Sequence, residues 1–181
     1  MVQAMREDTG KTADATLAGR PVYSFIDQFG NPMPYDGVSP LRWRVGAYVL
    51  AIRTGRVLMV EPPHTSLWEL PGGGVEVHEL MVDGAARECL EETGYRFVAA
   101  SAEPFYVGEG FVCWNPEQGV YYHMIGAVFR GAVDGEPDPT RPHDPTEIRR
   151  VAWLDPADLT IQNTHPNFWT VLQRAGLIDH G

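Results

Sequence analysis

Apolar and polar positions along the chain predict a series of strands interrupted by one well-marked helix. Val22–Ile26 reads as a short strand, closed by the turn formers of Phe29–Pro34. Two apolar runs, Val45–Ile52 and Arg56–Val60, are joined by Thr54-Gly55 and predict a β-hairpin, which Pro62-Pro63 ends. After Leu67-Trp68-Glu69-Leu70 comes Pro71-Gly72-Gly73-Gly74, a glycine-rich turn. From about Leu80 to Thr93 the spacing becomes helical. Val82, Ala86, Cys89, Leu90 and Thr93 cluster on one side, Glu88, Glu91 and Glu92 on the other, and Gly94 stops the helix. Further strands are expected at Arg96–Ala100, Glu103–Val107, Val120–Arg130 and Arg149–Leu154. Pro137–Pro145, with four prolines, reads as a loop, Asp155–Asp158 as a helix start, and His165–Ala175 as a short helix with Phe168, Val171 and Leu172 inward.

Three segments follow from this pattern. Residues 1–20 are polar and aperiodic and read as a mobile arm, 21–41 as an extension with one short strand, and 42–178 as the main domain. The composition agrees, since 181 residues with 44% apolar and 21% charged side chains suit a single globular unit. Cys89 and Cys113 are too few for a disulfide scaffold. The longest apolar run, near Gly46–Ile52, is far short of the roughly 20 residues of a spanning helix, so no membrane contact is expected. With no apolar leader at the N-terminus, the expectation is a cytoplasmic protein. A formal charge of −10 argues against binding duplex nucleic acid, but not against a small phosphorylated ligand bridged by a divalent cation.

That charge is unevenly spread. Between Glu76 and Glu92 six acids stand against the single Arg87. Glu88, Glu91 and Glu92 share a helix face, where like charges repel by a few tenths of a kcal/mol per pair. A hard divalent ion held by carboxylate oxygens would offset the repulsion. The histidines show no paired spacing of the kind that binds zinc.

Gly73, five residues, Glu79, seven residues and then Arg87-Glu88-Cys89-Leu90-Glu91-Glu92-Thr93-Gly94-Tyr95 carry every fixed letter of a known motif. The segment resembles the Nudix box of the Nudix hydrolase superfamily, with Cys89 and Tyr95 at positions more often held by aliphatic residues. Trp68-x-Leu70-Pro71-Gly72-Gly73, the preceding hairpin and Thr146-Glu147-Ile148 before the last strand are also similar to that family, over about residues 42–175. The resemblance implies an α/β (α+β) fold, a mixed β-sheet sandwiched between helices with a loop–helix–loop motif. It implies hydrolysis of a pyrophosphate linked to another moiety, by water attack at phosphorus, with Mg²⁺ or Mn²⁺ as cofactor.

Roles follow by position. Glu88 and Glu92 resemble direct metal ligands, Glu91 a third acid that binds metal or orients water, and the Gly72 carbonyl a further ligand. Arg87 resembles a fork orienting carboxylates; Gly73, Glu79 and Gly94 shape the motif. Glu147 is the acid outside the box expected to act as general base or as an outer metal ligand, with Glu109 and Glu117 as rivals. Trp43, Phe111, Trp114, Tyr121 and Tyr122 are candidates for stacking on a nucleobase, and Arg42 and Arg44 for meeting phosphates. The expected partner is a small nucleotide substrate. The family leaves a homodimer open, with the first forty residues available as an interface. Two other activities occur on the fold: a catalytically silent nucleotide-binding regulator, and an isomerase of prenyl diphosphates.

Overall fold

Thr54 and Gly55 both take positive φ (49° and 80°), the geometry that closes a two-residue hairpin between the long β3 (Leu41–Arg53) and β4 (Arg56–Glu61). They belong to a computed structural model that describes residues 25–26, 31–63, 65–116, 118–140 and 144–179, with the side chains of 26 and 109–113 outside that description. The expected arm, the start of the first strand, Glu117 and the Phe111 side chain therefore lie outside the described residues.

The remaining strands are β1 (Phe25–Ile26), β2 (Pro32–Met33), β5 (Gly72–Gly74), β6 (Arg96–Ala99), β7 (Tyr106–Asn115), β8 (Val120–Asp134) and β9 (Arg150–Leu154). They form one sheet of order β2-β1-β7-β8-β3-β4-β9, with β5 beside β3 and β6 beside β8. At its centre β3 and β8 run parallel, from Leu41 beside Tyr121 to Ala51 beside Gly131. Each central strand changes its outer partner partway. β3 pairs β5 at Gly46–Tyr48 and β4 from Ile52, while β8 pairs β7 in its first part and β6 in its last. The sheet faces follow the alternation of side chains. Ala47, Val49 and Ala51 pack with Leu58 and Phe129 under helix α1 (Met81–Thr93), which contributes Ala85 and Cys89. Tyr48, Leu50, Val57, Met59 and Val128 face α2 (Pro166–Arg174), which contributes Phe168, Val171 and Leu172. Burying each of these large side chains stabilises the fold by about 1.5–3 kcal/mol, enough to dock so short a helix. The result is a mixed sheet between helices, as the resemblance implies.

Three stretches differ from the expectation. Pro32–Met33, expected in a turn, is a strand at the sheet's edge, where proline's missing N–H breaks no ladder. Gly72–Gly74, expected as a turn, pairs with Gly46–Tyr48 instead. β7 begins at Tyr106, not Glu103, and continues through the glycines at 108 and 110 to Asn115, with a bulge between Glu109 and Phe111. Gly108 faces Gly126 of β8, so two residues of low strand propensity pair at a position that pattern alone reads as flexible. Asp155–Asp158 forms one 3-10 turn over Pro156–Asp158. Among the described residues, no helix is long and apolar enough to cross a membrane.

Candidate active site

α1 turns its apolar side to the sheet and its glutamates outward, and the chain before it is tied to those glutamates. No side chain caps its N-terminus at Leu80. Instead the Glu76 N–H donates to the Glu79 carboxylate (2.9 Å) and the Glu79 N–H to the Glu76 carbonyl (3.2 Å), closing the preceding turn. Gly94, left-handed at φ 73°, ends the helix by donating to the Leu90 carbonyl.

Arg87 is the hub. Its Nε and Nη2 donate to the two oxygens of Glu79 (3.1 and 2.7 Å), its Nη1 to Glu88 and Glu91 (2.9 Å each), and its Nη2 also to the Gly74 carbonyl (2.9 Å). One planar guanidinium thus joins β5, the loop and the helix. The Arg87 bond, followed by the Glu76 N–H, holds the Glu79 carboxyl down at about 2. The same contacts, Glu79 foremost, raise the Arg87 pKa.

Glu92 is in the opposite condition. Its carboxylate accepts the Gly72 N–H (2.8 Å), yet burial pushes its pKa well up. The charges of Glu88, Glu69 and Glu147 push the same way. Burial also raises Glu88, against the pull of Arg87 and Arg44. Glu69 is a fourth acid of this group. Though part of its surface reaches solvent, desolvation lifts its carboxyl to about 7, opposed by the Thr65 hydroxyl. Sequence reasoning missed it; the signal is an acid between Trp68 and Leu70, three residues before Gly72. Glu147 is exposed, in a turn where its N–H donates to the Asp144 carbonyl (3.0 Å).

The glycines explain how closely these parts approach. A Cβ at Gly73 would fall 2.7 Å from the Glu88 carboxylate. At Gly74 it would fall 2.5 Å from the Arg44 guanidinium. Arg44 is therefore brought to the rim of the site, where it lies over the Tyr122 ring at 5.5 Å. Trp43 points to the other face of the sheet and stacks on His123, centroids 4.2 Å apart. Tyr121 and Trp114 pack with Phe25 in an aromatic cluster beneath the N-terminal extension, away from the acids.

At Gly72 the contact seen is the N–H on Glu92; Arg87 meanwhile engages Glu79, Glu88 and Glu91. Among the described residues, no three carboxylate, imidazole or thiol groups close around a single point. The donor set nonetheless fits a hard cation. The carboxylates at the Gly72–Gly74 end of α1 outnumber the positive groups beside them, and Gly73 leaves room on the Glu88 side that any side chain would fill.

The NUDIX domain model matches residues 40–175. A MutT-like protein of Streptomyces ambofaciens is 30% identical over 128 residues, 70% of this chain and 73% of its own. A protein of Bacillus subtilis named "Putative 8-oxo-dGTP diphosphatase" is 29% identical over 64% of this chain and 69% of its own. Among solved structures, a MutT NUDIX hydrolase from Burkholderia pseudomallei superposes with a TM-score of 0.57 at 26% identity, covering 73% of this chain and 98% of that one. Sequence, fold and the intact box agree: the chain belongs to the NUDIX family and is a hydrolase of pyrophosphate bonds.

Proposed function

We propose that the chain hydrolyses a phosphoanhydride bond in a nucleoside di- or triphosphate derivative, with Mg²⁺ or Mn²⁺ bound at the glutamate face of α1. The observation that carries this reading is Glu92, a largely desolvated carboxylate with three acids near it and, among the described residues, one N–H as its bonded partner. A group so placed calls for positive charge. Glu88, Glu92 and the Gly72 carbonyl would hold the ion, with Glu91 as ligand or water-orienting group. When bound, the ion neutralises the diphosphate and acidifies water.

The remaining roles belong to the protein's own groups. Arg87 fixes Glu88 and Glu91 in place, so that neither has to be ordered at the moment of reaction. Glu147, close enough for its charge to act on Glu92 and exposed in its turn, takes the proton from the attacking water. Arg44 meets a substrate phosphate from the sheet side, supported by Tyr122.

The test is release of nucleoside monophosphate or inorganic phosphate from a panel of nucleotides with Mg²⁺ or Mn²⁺. Wild type is expected to turn over at least one member, and Glu92→Gln to lower kcat more than about 100-fold at unchanged fold. Equal rates for the two proteins across the panel would overturn the reading.

A further inference from the structure

Glu61, the last residue of β4, is a carboxylate whose side chain is only 1% exposed. It meets two arginines. Arg150, its register partner on β9, donates from Nε to Glu61 Oε2 at 2.6 Å and from Nη2 to the same oxygen. Arg149 is ion-paired with Oε1, an oxygen that accepts no hydrogen bond among the described residues. Arg149 also donates to the Ser66 hydroxyl at 3.4 Å, and its own N–H donates to the Glu61 carbonyl. The Arg150 guanidinium lies over the Trp68 ring at 4.7 Å.

A buried carboxylate needs one cation, and this one holds two. One positive charge is left over, on side chains that remain 47% and 59% exposed. The surplus is joined through the chain to the acids of the active site, since Val60, the neighbour of Glu61, bridges Glu69. Trp68 precedes Glu69, and Arg149 follows Glu147 by two residues, and both of those acids act on Glu92. A guanidinium stacked on an indole and tethered along one edge is oriented for a planar or tetrahedral oxyanion on the other. Glu69 and Glu147 would repel a free anion, so an occupant would gain most when a cation held by the acids of α1 anchors the rest of it.

We propose that Arg149 and Arg150, positioned by Glu61 and Trp68, form a subsite for a second anionic group of the substrate, a terminal phosphate beyond the diphosphate that is cleaved. The subsite rests on the proposed hydrolytic function and narrows it: a nucleoside triphosphate gains from the arginines, and a diphosphate esterified at both ends does not.

The test compares hydrolysis of a nucleoside triphosphate and a nucleoside diphosphate sugar by wild type, Arg150→Gln and the triple variant Glu61→Gln/Arg149→Gln/Arg150→Gln. The triple variant leaves no buried charge unpaired and so protects the fold. Both variants are expected to raise KM for the triphosphate at least about 10-fold, the worth of one charge-assisted hydrogen bond, with the diphosphate sugar within about twofold of wild type. Equal losses on both substrates overturn the subsite, as does a lowered melting temperature with unchanged KM. If wild type turns over neither substrate, the hydrolytic reading is decided separately, on the full nucleotide panel. Calorimetry with inorganic tripolyphosphate and with pyrophosphate then decides the subsite. Tripolyphosphate binding that weakens in the triple variant, with pyrophosphate binding unchanged, supports it, and any other pattern overturns it.

Discussion

Arg87 couples architecture to charge at the scale of one residue. Replacing it with Gln leaves Glu79, Glu88 and Glu91 to repel one another without their common cation. Catalytic rate is expected to fall by about 10- to 100-fold, as when a group that orients a ligand is lost. The pH dependence has a definite sign. Glu79 titrates near 2 in the folded chain against its ordinary 4.5, so its pairing stabilises the fold above about 4.5 and is lost as the pH falls toward 2. The gap in Tm between wild type and Arg87→Gln should therefore close over that window, which thermal unfolding monitored by circular dichroism would show. A constant gap would mean that Arg87 stabilises the fold by packing alone.

At the scale of elements, β5 separates folding from function within three residues. Ala at Gly72 must adopt φ 148° and place its Cβ 2.3 Å from the Ala47 carbonyl oxygen, so Gly72→Ala should cost the fold at least about 1–3 kcal/mol. At Gly73 the new Cβ meets the end of the Glu88 side chain, which can swing aside at the expense of its partly buried bond to Arg87. Gly73→Ala should leave Tm nearly unchanged and lower activity; melting curves and initial rates on the same preparations separate the two outcomes. The box was legible because its chemistry is local. Glycine, arginine and glutamate at fixed spacings on one loop and one helix need no distant partner to be read. The hairpin and α2 were legible for the same reason, through Thr54-Gly55 and the inward Phe168, Val171 and Leu172. What stayed hidden depends on partners far away in sequence. Gly72–Gly74 is a strand only because β3 lies beside it, and β7 runs on through its glycines only because β8 does. Glu69 becomes part of the acid group through folding, and Glu61 acquires its arginines 88 and 89 residues later. Arg44 and Trp43, neighbours in the chain, were indistinguishable until the sheet sent them to opposite faces.

Over the whole molecule, the N-terminal extension closes an edge. β1 pairs with β7, and Phe25, Met33 and Tyr35 cover Tyr121 and Trp114. Removing residues 1–39 exposes both the unpaired backbone of β7 and those rings, so the shortened chain should melt lower and associate more readily. Light scattering against concentration would detect the association, and a monodisperse truncated protein would show the extension to be dispensable. The parallel pairing of β3 with β8 has a different outcome, one of timing. A chain emerging from the ribosome presents Val45–Ala51 early, and although β4, β5 and α1 can pack on it in turn, the neighbour that completes the sheet's centre is not made until residue 131. From residue 51 to residue 131 of its synthesis the protein carries an apolar strand without its companion, so the hazard of misassembly is greatest in that interval and falls sharply once β8 is free to dock.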